Sequence, residues 1–230
     1  MKPDFDVYSL PTPCYVVDEA QIRRNLEVLK GVADRTSCRI LLAQKAFSMF
    51  YFYPLIGRYL SGTAASSLYE ARLGHEEMGL ENHVFSPAYR QEEFGELVSI
   101  CSHIVFNSFS QWERYKEQAL KGGRSCGMRV NPAHSTQTHG VYDPCSPKSR
   151  LGVTLKNFRK DAISGIEGLH FHTLCEQNAD ALASTLEAVE HQFGDVLPRM
   201  KWLNLGGGHH ITRADYDIPL LEECITHLWR

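Results

Sequence analysis

The 230 residues are 43% hydrophobic and 22% charged, an ordinary globular composition in a chain long enough for one large domain with a substantial core. Lys plus Arg number 24 and Asp plus Glu 27, so the formal charge is −3, which offers no electrostatic footprint for nucleic acid or an anionic membrane. No apolar stretch approaches the roughly 20 residues that span a bilayer, and the opening MKPDFDVYSLPTP lacks the apolar centre of a signal peptide, so a cytoplasmic location is expected.

Short apolar, β-rich runs alternate along the chain with longer amphipathic stretches. Cys14–Val17 reads as a first strand, followed by a helix over Ala20–Val32 with Ile22, Leu26 and Leu29 on one face. Asp18 and Glu19 suit the start of that helix, as side-chain cap and as charge complement to its dipole. Further strands are predicted at Ile40–Ala43, Gly62–Ala65, His83–Ser86, His103–Asn107, Cys126–Asn131, Gly168–His172 and Trp202–Leu205. Tyr69–Met78, Gln91–Ser99, Ser110–Leu120 and Asn178–Gln192 read as helices. Strands buried on both faces and alternating with helices mean parallel α/β architecture, and repetition beyond six units favours a (β/α)8 TIM-type barrel. Asn131–Leu151 breaks the rhythm with three prolines and many short polar residues. A loop of that length after a strand falls on the face of a barrel where active sites sit. The seven cysteines show no C-x-x-C spacing and read as free thiols.

Three segments carry candidate chemistry, each with a bland alternative. In LLAQKAFS, Lys45 follows an apolar strand, where a shielded amine could form an imine; a solvent-facing lysine is the ordinary alternative. In WLNLGGGHHIT, Gly206, Gly207 and Gly208 leave backbone amides open to a phosphate; a plain turn reads equally well, and G-x-G-x-x-G is absent. In GLHFHTLCEQ, His170 and His172 share a strand face. A metal pair completed by Cys175 or Glu176 is conceivable, but no second cluster supports it, and no metal is expected. His170 reads as a packed core residue and His172 as a ring placed to stack on an aromatic cofactor.

Taken together, LPTPCYVVDEAQIRRNLEVL, LLAQKAFS, GLHFHTLCEQ and LNLGGGHHIT resemble the fold-type III pyridoxal 5′-phosphate (PLP) enzymes. YDPCSPKSRLGV, GLHFHTLCEQNADAL and LNLGGGHHITRADYD most resemble the carboxynorspermidine (carboxyspermidine) decarboxylase family within that group. The resemblance implies a PLP-dependent carboxy-lyase of polyamine biosynthesis that removes CO2 from a small carboxylated polyamine. Lys45 would be the Schiff-base lysine, His172 would stack on the PLP ring, and Gly206–Gly208 would hold its phosphate. Arg129 and Arg150 match basic positions near the ring, and Ser66 matches a serine of the second-strand loop. The resemblance also implies a homodimer in the full-length protein. The family's last barrel strand, with its Glu-Pro-Gly motif, and its β-rich second domain have no counterpart before Arg230. The expectation is therefore a C-terminally truncated product with about seven of eight barrel strands, in which residues 1–20 form a leading strand that packs with the second domain and residues 21–230 form the barrel. Another fold-type III activity (diaminopimelate decarboxylase or alanine racemase), a non-catalytic single-barrel PLP carrier and a barrel without PLP remain as alternatives.

Overall fold

A computed structural model describes residues 5–137, 140 and 143–227 of the chain. After a single 3-10 turn at Val7–Ser9, α1 (Glu19–Thr36) leads into β1 (Leu41–Ala43). Then follow α2 (Tyr53–Ile56), β2 (Gly62–Ala65), α3 (Leu68–Glu77), β3 (Glu81–Phe85), α4 (Gln91–Ile100), β4 (His103–Phe106) and α5 (Phe109–Lys121). The chain continues through β5 (Ser125–Asn131), β6 (Val153–Thr154), β7 (Gly168–His170), α6 (Ala179–Phe193), β8 (Trp202–Asn204) and α7 (Ile218–His227).

Helix starts follow local side-chain chemistry. Asp18 accepts the Gln21 N–H at 2.9 Å and begins α1, as its position predicts. Ser67 and Ser108 accept the amides of Glu70 and Gln111, so the turns from β2 to α3 and from β4 to α5 both end in a serine cap. Apart from Cys14–Val17, predicted strands and helices agree with the observed ones to within a few residues, the largest offset being the end of α1, which runs on to Thr36. α2, the two-residue β6 and α7 are not among the predicted elements.

Seven strands form one parallel sheet in the order β1-β2-β3-β4-β5-β7-β8, and β6 adds a short pairing to the end of β5. The register puts Glu81, His83 and Phe85 on one face of β3, and Gly127 and Arg129 on the same face of β5. That face is concave, because side chains from non-adjacent strands meet across it. The rings of Phe85 (β3) and His170 (β7) lie 5.6 Å apart, and those of His103 (β4) and Trp202 (β8) also 5.6 Å. The Trp202 indole fills the interior: a Cβ at Gly127 or Gly168 would come within 2.2 Å or 2.0 Å of it. The convex face is covered by helices, and Phe94, Phe106, Trp112, Leu169 and Phe193 are fully buried between the layers.

The sheet is a curled, incomplete barrel. Among the described residues β1 pairs only with β2 and β8 only with β7, yet the helices beside these two edges touch. Arg35 of α1 donates from Nε and Nη2 to Glu222 Oε1 of α7 at 2.8 and 2.6 Å, and Val32 shares a core with Leu221. The helical layer therefore closes where the strand layer leaves a gap.

One predicted strand has no partner among the described residues, the second domain expected to pair with it not being among them. Cys14–Val17 forms no ladder, and Tyr15 and Val16 are exposed. A strand needs a neighbour for its amides and carbonyls, and no described residue supplies one. All seven cysteines are free thiols. No helix among the described residues is long and apolar enough to cross a membrane.

Candidate active site

All strands of the sheet are parallel, so the turns that follow β1, β2, β5, β7 and β8 open on the same C-terminal face. Lys45 stands in the turn after β1 and is exposed. Its neighbour Gln44 is buried, its Oε1 accepting the Tyr53 hydroxyl at 3.0 Å. Gln44 thus anchors the turn from which Lys45 projects. The positive charge of Lys45 bears on His172, which lies two residues past the end of β7.

His172 is tied to two other strands. Its Nδ1 accepts the Gly207 N–H at 3.0 Å, and its carbonyl accepts Nη2–H of Arg129 at 3.1 Å. Accepting at Nδ1 leaves the ring proton on Nε2. Burial, then the charges of Lys45, Arg129 and His209, push its pKa down to about 4. The imidazole is neutral at physiological pH.

Arg129 projects from β5 into the concave interior, 5% exposed, with its guanidinium 4.7 Å from the Phe85 ring centre. Burial lowers its pKa to about 10. No carboxylate pairs with it among the described residues. A buried guanidinium without a counter-charge is costly, and an anionic ligand would relieve it. His170 is buried just below, its Nδ1 without a hydrogen-bond partner, which agrees with its reading as a core residue.

The glycine turn after β8 serves the backbone first. Gly206 and Gly208 have φ of +75° and +94°, and added Cβ atoms there would lie 2.4 Å from Phe171 O and 2.2 Å from Leu174 O. The Gly206 N–H donates to Asn204 Oδ1 at 2.8 Å and the Gly207 N–H to His172, so two of the three amides expected to hold phosphate already have acceptors. Only the Gly208 amide in this run has no acceptor recorded among the described residues. Gly207 has no neighbour closer than 3.6 Å to a built Cβ. Gly208→Ala is therefore expected to destabilise the protein by about 2 kcal/mol or more, while Gly207→Ala costs well under 1 kcal/mol. Thermal unfolding of the two variants side by side checks this, the first falling by several degrees and the second barely moving.

Ser66 and Arg150 are not drawn into this cluster. Ser66 is exposed after β2, where its N–H donates to Glu70 Oε2 at 2.6 Å and helps cap α3. Arg150 is exposed in the loop after β5, its carbonyl accepting from Asn107 Nδ2 at 2.9 Å. That loop is clamped by Asn131 Nδ2, which donates to the carbonyls of Pro144 and Leu151 at 3.3 and 3.1 Å. Tyr142, the first residue of the YDPCSPKSRLGV motif, lies outside the described residues.

Sequence reasoning missed His209, whose protonation would oppose that of His172 and whose Nδ1 lies 3.1 Å from Tyr216 Oη. The HH pair after the glycine run was its only signal. His170, His172, Cys175 and Glu176 do not converge as metal donors among the described residues, where the single set of three close donors is Glu81, His83 and His103 at the opposite end of the sheet.

The curled parallel sheet is shared with barrel-type decarboxylases. Diaminopimelate decarboxylase from Helicobacter pylori, solved with L-lysine, superposes with a TM-score of 0.81 at 17% identity, covering 96% of this chain and 61% of that one, which establishes the fold alone. No protein-family model matches the chain.

A nearer set of relatives is more specific. The chain is 41% identical over 212 residues to carboxynorspermidine/carboxyspermidine decarboxylase of Campylobacter jejuni, covering 92% of this chain and 55% of the relative. It is also 41% identical over 210 residues to carboxyaminopropylagmatine decarboxylase of Synechocystis, covering 91% and 54%. The crystal structure of the C. jejuni carboxynorspermidine decarboxylase with norspermidine matches with a TM-score of 0.87 at 38% identity over 95% of this chain and 56% of that one. The chain is similar in sequence and fold to these decarboxylases and spans about half the length of the curated relatives it matches.

Proposed function

We propose that this chain is the barrel portion of a PLP-dependent decarboxylase whose substrate is carboxynorspermidine or carboxyspermidine. The observation that carries the reading is the cluster of Lys45, His172, Arg129 and the glycine turn on the C-terminal face, in a chain 41% identical over 212 residues to an enzyme of that name.

The residues suit the cofactor: an accessible amine, a neutral aromatic ring, a buried cation without a counter-charge and a turn of small residues. PLP, when bound, supplies an electron sink for the pair left behind as CO2 departs. Lys45 would hold it through Nζ. His172 keeps its proton on Nε2 and brings a flat surface to the site without a positive charge. Arg129, braced on Phe85, supports His172 through its carbonyl and contributes positive potential beneath the site. The amide of Gly208 is the donor of the glycine run available to a phosphate. Ser66 and Arg150 enter the proposal as rim residues. A cytoplasmic homodimer is the form expected of the full-length protein, and sedimentation measures the second point.

The named relatives act on carboxylated polyamines of different tails, so both kinds belong in the test. Full-length protein with PLP should develop a visible absorbance band, and borohydride reduction followed by peptide mapping should find the pyridoxyl label on Lys45. CO2 should be released from carboxynorspermidine. A label on another lysine overturns the cofactor assignment; release from carboxyaminopropylagmatine or diaminopimelate alone overturns the substrate.

A further inference from the structure

The end of the sheet opposite the candidate active site holds a cluster that the decarboxylase reading does not use. Glu81 and His83 share the inner face of β3, and His103, the first residue of β4, is the register partner of His83. One potential ligand atom from each residue lies within 4.8 Å of the other two. The two imidazoles stack with centres 3.8 Å apart and planes inclined by 20°, and His83 Nε2 lies 3.2 Å from Glu81 Oε2. His83 Nδ1 is buried without a partner.

Metal ligation needs neutral histidines and an ionised carboxylate. Burial, aided by the facing His103 and by Arg39, lowers the pKa of His83 to about 3, and burial also lowers that of His103. Both rings are therefore unprotonated at physiological pH. Glu81 is paired with Arg39, whose side chain is 70% exposed and can swing away. The cluster is reachable from solvent, the side chains of His83 and Glu81 being 16% and 26% exposed.

We infer that Glu81, His83 and His103 form a site for a borderline divalent cation such as Zn2+, with Arg39 as the resident counter-ion that the metal displaces. Two imidazoles and a carboxylate are a donor set suited to zinc, leaving a fourth position for water. Bonds of about 2.0–2.1 Å put ligand atoms roughly 3.3 Å apart, so the two stacked rings must turn apart and aim their nitrogen lone pairs at the ion to close the present spacing. Because the donors lie on adjacent strands, the bound ion clips β3 to β4 at the floor of the barrel. It takes no part in the chemistry at the other end.

Zinc-free full-length protein is titrated with Zn2+ in competition with a chromophoric chelator, and Co2+ serves as a spectroscopic probe of ligand geometry. One ion should bind per chain, with a rise in melting temperature. Glu81→Gln and His83→Gln should each weaken binding at least tenfold. Arg39→Gln removes the competing cation from an exposed position and should tighten binding severalfold without harming the fold. No stoichiometric binding, binding unchanged by Glu81→Gln and His83→Gln, or an Arg39→Gln affinity no tighter than that of the parent would each overturn the site.

Discussion

Lys45→Ala is expected to lower decarboxylase kcat/KM by about 10³-fold or more while leaving the fold intact. Removal of one group that contacts cofactor or the reacting atoms costs on the order of 10²–10³ in rate, and loss of a covalent anchor lies at the upper end or beyond. The fold is spared because Lys45 sits exposed in a turn whose position is held by the neighbours Gln44 and Tyr53. Substitution at such a site typically moves stability by no more than about 0.5 kcal/mol. Lys45→Arg should be as inactive as the alanine variant, since a guanidinium does not deprotonate in proteins and cannot act as the nucleophile. CO2 release and circular dichroism on the same preparations measure both halves. A variant retaining a tenth of the parent rate would show that another amine carries the cofactor.

Acid is expected to unfold the protein well above the carboxylate range. Burial pushes His83 and His170 down to about 3, and His172 and His209 down to about 4. These rings are neutral when folded, whereas in the unfolded chain they take up a proton near pH 6.5. Above that pH neither state binds the proton, and these groups cost nothing. As pH falls from about 6.5 towards 3–4, the unfolded state binds more protons, so stability drops. Each group contributes up to about 1.4 kcal/mol per pH unit. At pH 5 four such groups together remove several kcal/mol from a total that is typically 5–15 kcal/mol. The urea midpoint should therefore fall steeply between pH 7.5 and pH 5, and His170→Gln should make that fall shallower by about one proton. A midpoint flat over that range would contradict the burial of these histidines.

The strands and helices themselves were readable because their signals are local. Apolar runs such as Ile104–Phe106 and capping residues such as Asp18 act over a few positions, and the helix period needs only one helix to be seen. Arg129 and His172 were singled out through their motifs, and the structure adds the bond between them. The two rim assignments, Ser66 and Arg150, came from the same motif matching, and both residues are exposed. A motif fixes a residue's place on a loop; it carries no information on where the side chain goes.

From the residues alone came the parallel α/β alternation, the order of its elements, and the lysine, histidine and glycine run that end on one face, because each follows from spacing within a short stretch. Cross-strand proximity decided the rest. The curl of the sheet, the α1–α7 contact through Arg35 and Glu222, and the Trp202 plug over Gly127 and Gly168 join residues far apart in sequence. The same holds for the amides of Gly206 and Gly207, already held by Asn204 and His172, and for the meeting of Glu81 and His83 with His103. Cys14–Val17 shows the converse: strand-like residues make no strand until a neighbouring backbone meets their hydrogen bonds, and only the folded chain determines whether one does.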